Sequence, residues 1–342
     1  MEKLNIKNNG LKSIPREFQG SLPRLAELNI SGNRLETFPS LYWDDIKILD
    51  VSRNEVKSIS TEALKTATSL ETVNIKCNAV SCLPEELGQL TSLKELCLDY
   101  NKLQSLPDCE EDEKEEEKTD ENKKKSKGCW AKLKCLEILK VSYNKLKSVP
   151  CQLAHAKALT HIDASGNMLE KVPGCLGGLK DLRELRLQQN RLIKLPFDLF
   201  RAGNKLRVLH LNNNQISKLP SSIRHLTLVE DIRLANNELE DIPEEIGSCT
   251  KLVRLDLNHN KLKSLPESIG KLTTMTRLNV SHNDLADRLP KSLENCVELR
   301  ELLASNNPRL EHVMDTFEFV TKLEWLDVSC CAIESVDSSI GT

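Results

Sequence analysis

Residues 252–266 read Leu-Val-Arg-Leu-Asp-Leu-Asn-His-Asn-Lys-Leu-Lys-Ser-Leu-Pro. Leu255 and Leu257 are two apart, so on an extended strand both point to one side while Arg254 and Asp256 point to the other. Asn260 follows three residues later, then Leu262 and Leu265, and Pro266 closes the phrase by fixing φ and turning the chain. Beyond it Ile269, Leu272 and Met275 recur three apart, which suits a short helical or 3-10 segment. A strand, a turn and a helical return make one unit.

The same phrase returns along the whole chain. The slot of Asn260 is filled by Asn9, Asn33, Asn54, Asn78, Asn101, Asn144, Asn167, Asn190, Asn214, Asn237, Asn260, Asn283, Asn307 and finally Cys331, at steps of 24, 21, 24, 23, 43, 23, 23, 24, 23, 23, 23, 24 and 24 residues. Chance does not produce such a series, and L-x-x-L-x-L-x-x-N-x-L-x-x-L-P is the motif of the leucine-rich repeat. Stacked copies predict an α/β solenoid: a leucine-rich-repeat horseshoe with a concave parallel sheet and short helical or 3-10 segments on the convex side. The buried amide in each loop can donate to and accept from backbone groups that would otherwise lie unpaired. Cys331 is a weaker partner in that slot. Eleven of the fourteen copies carry the proline.

The expected organisation is a single solenoid over residues 1–342, of about fourteen repeats, interrupted once. The 43-residue step holds an insertion of about twenty residues, 108–128, with ten acidic and six basic side chains. Such a segment buries too little apolar surface to offset the entropy of ordering, so a disordered charged loop on the convex side is expected, with Thr119 and Ser126 open to phosphorylation or the whole serving as a spacer. Trp130, Leu133 and Leu136 then resume the pattern. Met1 already occupies a leucine position and polar caps are missing at both ends, so the expectation is either a fragment or terminal repeats that meet another domain or copy.

Composition narrows function. With 48 Lys+Arg against 51 Asp+Glu, net −3, there is no basic excess to seek phosphates, and 4% aromatics give few rings for stacking on bases, so nucleic acid is not expected as a partner. There is no run of 18 apolar residues and no secretory leader at Met1, which predicts no membrane insertion and a cytoplasmic protein, with the nucleus as the other compartment. Twelve cysteines lack paired spacing and read as thiols rather than a disulfide framework. No phosphate loop, zinc-protease, nucleophile-elbow or kinase signature occurs, so neither catalysis nor a cofactor is expected. His259 and His282 share a slot in adjacent repeats, but no further metal ligands accompany them, and they read as inherited repeat positions.

What the architecture leaves open is the outward residues of each strand. Glu184, Arg186, His210, Asp231, Arg233, Arg254, Asp256 and Arg277 form a mixed-charge stripe expected to contact a protein partner. Asp231 should neighbour Arg254, and Arg233 should neighbour Asp256, so part of the stripe can neutralise itself. Tyr100 and Tyr143, just before the Asn slot in adjacent repeats, are candidate anchors. Leu303 and Trp325 stand outward on the last strands, either as an apolar contact point or packed against something outside this sequence.

The 23-residue period with Leu83-Pro84-Glu85-Glu86-Leu87-Gly88-Gln89-Leu90 and Ile242-Pro243-Glu244-Glu245-Ile246-Gly247 resembles the intracellular Ras-group leucine-rich-repeat proteins, of the Ras-suppressor and Scribble types. The resemblance implies a non-catalytic scaffold or adaptor in signalling, whose partner is a small GTPase or a phosphatase subunit. Similar repeats also serve as recognition arms of larger kinases, cyclases or Ras-like GTPase multidomain proteins. The charged insertion departs from the family pattern.

Overall fold

In the computed structural model each outward–inward–outward triplet is a three-residue strand. Described are residues 1–15, 22, 24–39, 45–107, 128–201, 205–313, 317–336 and 338–340; all of the charged insertion but Gly128 lies outside them. The chain forms two compact units, Met1–Ile162 and Asp163–Thr342.

In the first unit β1 (Lys3–Asn5), β2 (Glu27–Asn29), β3 (Ile48–Asp50), β4 (Thr72–Asn74), β5 (Glu95–Cys97) and β6 (Ile138–Lys140) pair in parallel in sequence order. Leu4, Leu28, Leu49, Val73, Leu96 and Leu139 stand in one register and form the inner row. The strand β7 (His161–Asp163) falls at the sequence boundary of the units. In the second unit β8 (Glu184–Arg186), β9 (Val208–His210), β10 (Asp231–Arg233), β11 (Arg254–Asp256), β12 (Arg277–Asn279), β14 (Glu301–Leu303) and β16 (Trp325–Asp327) pair likewise. A separate parallel pair, β13 (Ala286–Arg288) with β15 (Arg309–His312), follows the loop that carries Leu285 and Asn307; the sequence pattern does not announce it.

Three residues cannot hold a strand alone. The aliphatic core behind them does: Leu255, Leu257, Leu262, Ile269, Leu272 and Met275 of one repeat are all buried. Each such side chain stabilises the stack by about 1.5–3 kcal/mol. The return segments are 3-10 turns, as at Glu85–Gln89, Glu244–Ser248 and Glu267–Lys271, each entered through a proline at φ between −69° and −78°. Where Ser60 replaces proline the return is an α-helix, Thr61–Lys65. Pinned φ and a missing N–H thus accompany the tighter turn.

The loop asparagines bind repeat to repeat. Asn237 Nδ2 donates to Leu234 O in its own repeat and to Leu211 O in the one before, both at 3.0 Å, while its Oδ1 accepts the Ile216 N–H at 3.0 Å. Cys331 keeps only the donor half of this, Sγ to Ala304 O at 3.2 Å. The residue before the slot is left-handed at all fourteen positions, with φ between 51° and 65°, although twelve of them are not glycine. Its N–H is tied to the next repeat, as from His259 to Ser281 O at 2.9 Å, which offsets a conformational cost of about 1–2 kcal/mol.

Candidate protein-binding face

Parallel register turns the outward residues of the second unit into two columns. The first runs Glu184, Val208, Asp231, Arg254, Arg277, Glu301 and Trp325; the second runs Arg186, His210, Arg233, Asp256, Asn279, Leu303 and Asp327. Asp231 lies opposite Arg254 and Arg233 opposite Asp256, the neighbours that the 23-residue step predicts. These four charges nevertheless pair along their own strands, Arg233 with Asp231 and Arg254 with Asp256. Arg186 grips Glu184 Oε2 through Nε at 3.1 Å and Nη2 at 2.9 Å, and Arg233 grips Asp231 through Nε and Nη2. A residue two along a strand is on the same face, and the guanidinium fork meets a carboxylate side-on there.

Asp231 is the electrostatic centre of the group. Burial opposes its ionisation, but hydrogen bonds from His210 and Arg233, with the charge of Arg233, overcome burial and hold the carboxyl down at about 2. The bond that Arg233 donates to Asp231 pushes Arg233 upward in turn. His210, expected as an accessible contact residue, is buried: its ring lies against Asp231 with Nε2 3.3 Å from Oδ2, and it shapes the face from beneath. Asp256 is likewise buried.

Arg254 and Arg277 differ from the side-on pairs. Arg254 makes one bond, Nη2 to Asp256 Oδ2 at 2.8 Å, leaving its buried Nε and Asp256 Oδ1 without partners. Arg277 meets Glu301 through Nη1 alone, and its Nε is also unpartnered. Sequence reasoning overlooked Glu301, although it fills the same outward slot one repeat after Arg277.

A family model described as a leucine-rich repeat region matches residues 201–341, and one described as a leucine rich repeat matches residues 44–103. This is a leucine-rich-repeat protein. Its solenoid is similar to YopM, a leucine-rich effector protein from Yersinia pestis, with a TM-score of 0.68 at 25% identity over 99% of this chain and 86% of that one. Adenylate cyclase of Podospora anserina is 28% identical over 130 residues, 31% of this chain and 6% of that protein. Osteomodulin of Bos taurus is 26% identical over 177 residues, 50% of this chain and 42% of that protein. The chain spans less than half the length of either relative. Leucine-rich-repeat proteins generally mediate protein–protein interaction, typically as non-catalytic scaffolds.

The remaining candidates of this leucine-rich-repeat protein occupy the loops and the last strands. In the first unit Tyr100 and Tyr143 stack at 4.5 Å between centroids with 11° between ring planes, both exposed, and Lys76 Nζ lies 5.3 Å from the Tyr100 centroid. In the second unit His259 and His282 stack at 4.0 Å, and among the described residues no group of three or more His, Cys, Asp or Glu could hold a metal ion. Trp325 is 57% exposed on β16. Burial pushes the thiols of Cys97, Cys249 and Cys296 up to about 12, leaving them poor nucleophiles. Cys151 and Cys175 are each disulfide-bonded, which corrects the expectation of twelve thiols. Among the described residues no helix is long and apolar enough to cross a membrane.

Proposed function

We propose that this protein is a non-catalytic scaffold or adaptor that binds a folded protein partner on the sheet face of its second unit. One observation carries the reading: charged and aromatic side chains stand in unbroken register on successive strands, from Glu184 to Trp325, where the fold needs only the inward leucines. Laterally continuous faces of this kind suit broad partner surfaces rather than small substrates. The contacts assigned to it are Glu184, Arg186, Arg233, Arg254, Arg277 and Trp325, over a floor of His210, Asp231 and Asp256; Tyr100 and Tyr143 are assigned separately, as partner contacts of the first unit by itself. The Ras-group form of the turn, Ile242-Pro243-Glu244-Glu245-Ile246-Gly247, supports a signalling role in the cytoplasm with a small GTPase or a phosphatase subunit as partner.

A second reading, the recognition arm of a larger signalling enzyme, draws support from the adenylate cyclase match, which spans only 6% of that protein. Photo-crosslinking tests the shared claim. A crosslinker at Asn279 on the face should capture partner, whereas one at exposed Lys271 on the 3-10 turn should not; the reverse result would move the binding surface elsewhere.

A further inference from the structure

Arg254 and Arg277 stand opposite each other on adjacent strands, about 4.8 Å apart in backbone spacing, where like charges repel. Their carboxylate partners lie on different sides: Asp256 is two residues along β11, and Glu301 is on the next strand. Neither guanidinium uses its paired edge as Arg186 and Arg233 do, and both are about a third exposed. Each guanidinium bonds its carboxylate through a single Nη, and the other Nη donors at the partly exposed ends of the two adjacent side chains match one incoming planar acceptor group.

The surroundings select which acceptor. Asp231, Asp256 and Glu301 flank the pair, so a single carboxylate gains two cations, whereas a polyanion also meets the flanking carboxylates. Two strands beyond Arg277 in the same column stands Trp325, opposite Glu301, with Leu303 diagonal to it on β14. The span from the arginine pair to Trp325 is about 10–12 Å, which three or four residues of extended chain cover.

We infer that Arg254 and Arg277 form a carboxylate-binding pair, and that the segment seated there carries an Asp or Glu side chain followed, three or four residues away, by a large apolar side chain resting on Trp325 and Leu303. The inference rests on the proposed face and specifies the chemistry of its partner.

A displayed library of random twelve-residue peptides, selected on the full purified chain, provides the test. Wild type should enrich peptides pairing an acidic with a large apolar residue at that spacing. Arg254→Gln with Arg277→Gln should weaken the enriched peptides about tenfold or more. Trp325→Ala should remove the apolar preference while leaving the acidic one. The reversed pair, Arg254→Glu with Arg277→Glu, should select Lys- or Arg-bearing peptides instead, a gain that an unfolded variant cannot give. Absence of enrichment, or enrichment without acidic preference, overturns the proposal. If such non-acidic peptides are still blocked by Asn279→Trp, the binding face stands without the carboxylate pair; if they are not, both readings fall.

Discussion

Arg233 and Asp231, two residues apart on β10, form a side-on ion pair, Nε at 3.1 Å from both carboxylate oxygens and Nη2 at 2.8 Å from Oδ2, and His210 closes the other side at 3.3 Å. The pairing drops the Asp231 carboxyl from its ordinary 3.8 to about 2. A folded value below the unfolded one means that the stabilisation is complete above about pH 4 and is lost as pH falls through about 2. Discounted for partial exposure, it amounts to about 1–2 kcal/mol. Urea denaturation from pH 7 to 2 should show a loss of this size that Asp231→Asn flattens, and carboxyl NMR should place the titration near 2.

Asn237 supplies three backbone groups with partners across two repeats. Asn237→Ala strands the carbonyls of Leu211 and Leu234 and the N–H of Ile216, an expected loss of about 2–4 kcal/mol in denaturant unfolding. Glu240→Ala, three residues later and exposed, should change stability far less.

The 3-10 turns approach one another too closely for a side chain at their glycines. A Cβ at Gly270 would press on the carbonyl oxygen of Ser292 and sit 2.6 Å from its Cβ, whereas at Gly10 it would meet nothing within 4 Å. Gly270→Ala should therefore destabilise by about 1–3 kcal/mol. Gly10→Ala should stay within about 0.5 kcal/mol. Thermal unfolding of the two variants distinguishes local crowding from the generic effect of losing a glycine.

Burial against its neighbour, then the charge of His282, lowers the His259 pKa below the usual imidazole value. The stacked pair therefore favours the neutral ring, and its contribution is present above about pH 6.5 and fades as pH falls. In His282→Ala the His259 titration, followed by NMR, should move upward; an unmoved titration would assign the depression to other groups.

The sequence made the register legible because a step of 23 residues maps Asp231 onto Arg254 and Arg233 onto Asp256, and both pairs are opposite in the sheet. It did not reveal which partner each charge takes, since that depends on side-chain reach along or across strands. Nor did it reveal the left-handed residue before each asparagine, because Tyr100, Gln189 and His259 carry none of the glycine signal that usually marks such a backbone. The inward leucines were readable for the opposite reason: alternation on a strand leaves them no other side. His210 has the outward slot but a buried ring, so slot alone did not predict its exposure.

The central claim is that the charged face of the second unit makes the partner contact. Quantitative affinity capture with wild type, with Arg233→Glu plus Arg254→Glu, and with Lys251→Glu plus Lys271→Glu on the return segments tests it most directly. All three proteins are first shown to unfold at similar denaturant concentration. The account predicts that the face reversal loses the reproducible partner while the return-segment reversal retains it; an unchanged partner set in the face variant would contradict it.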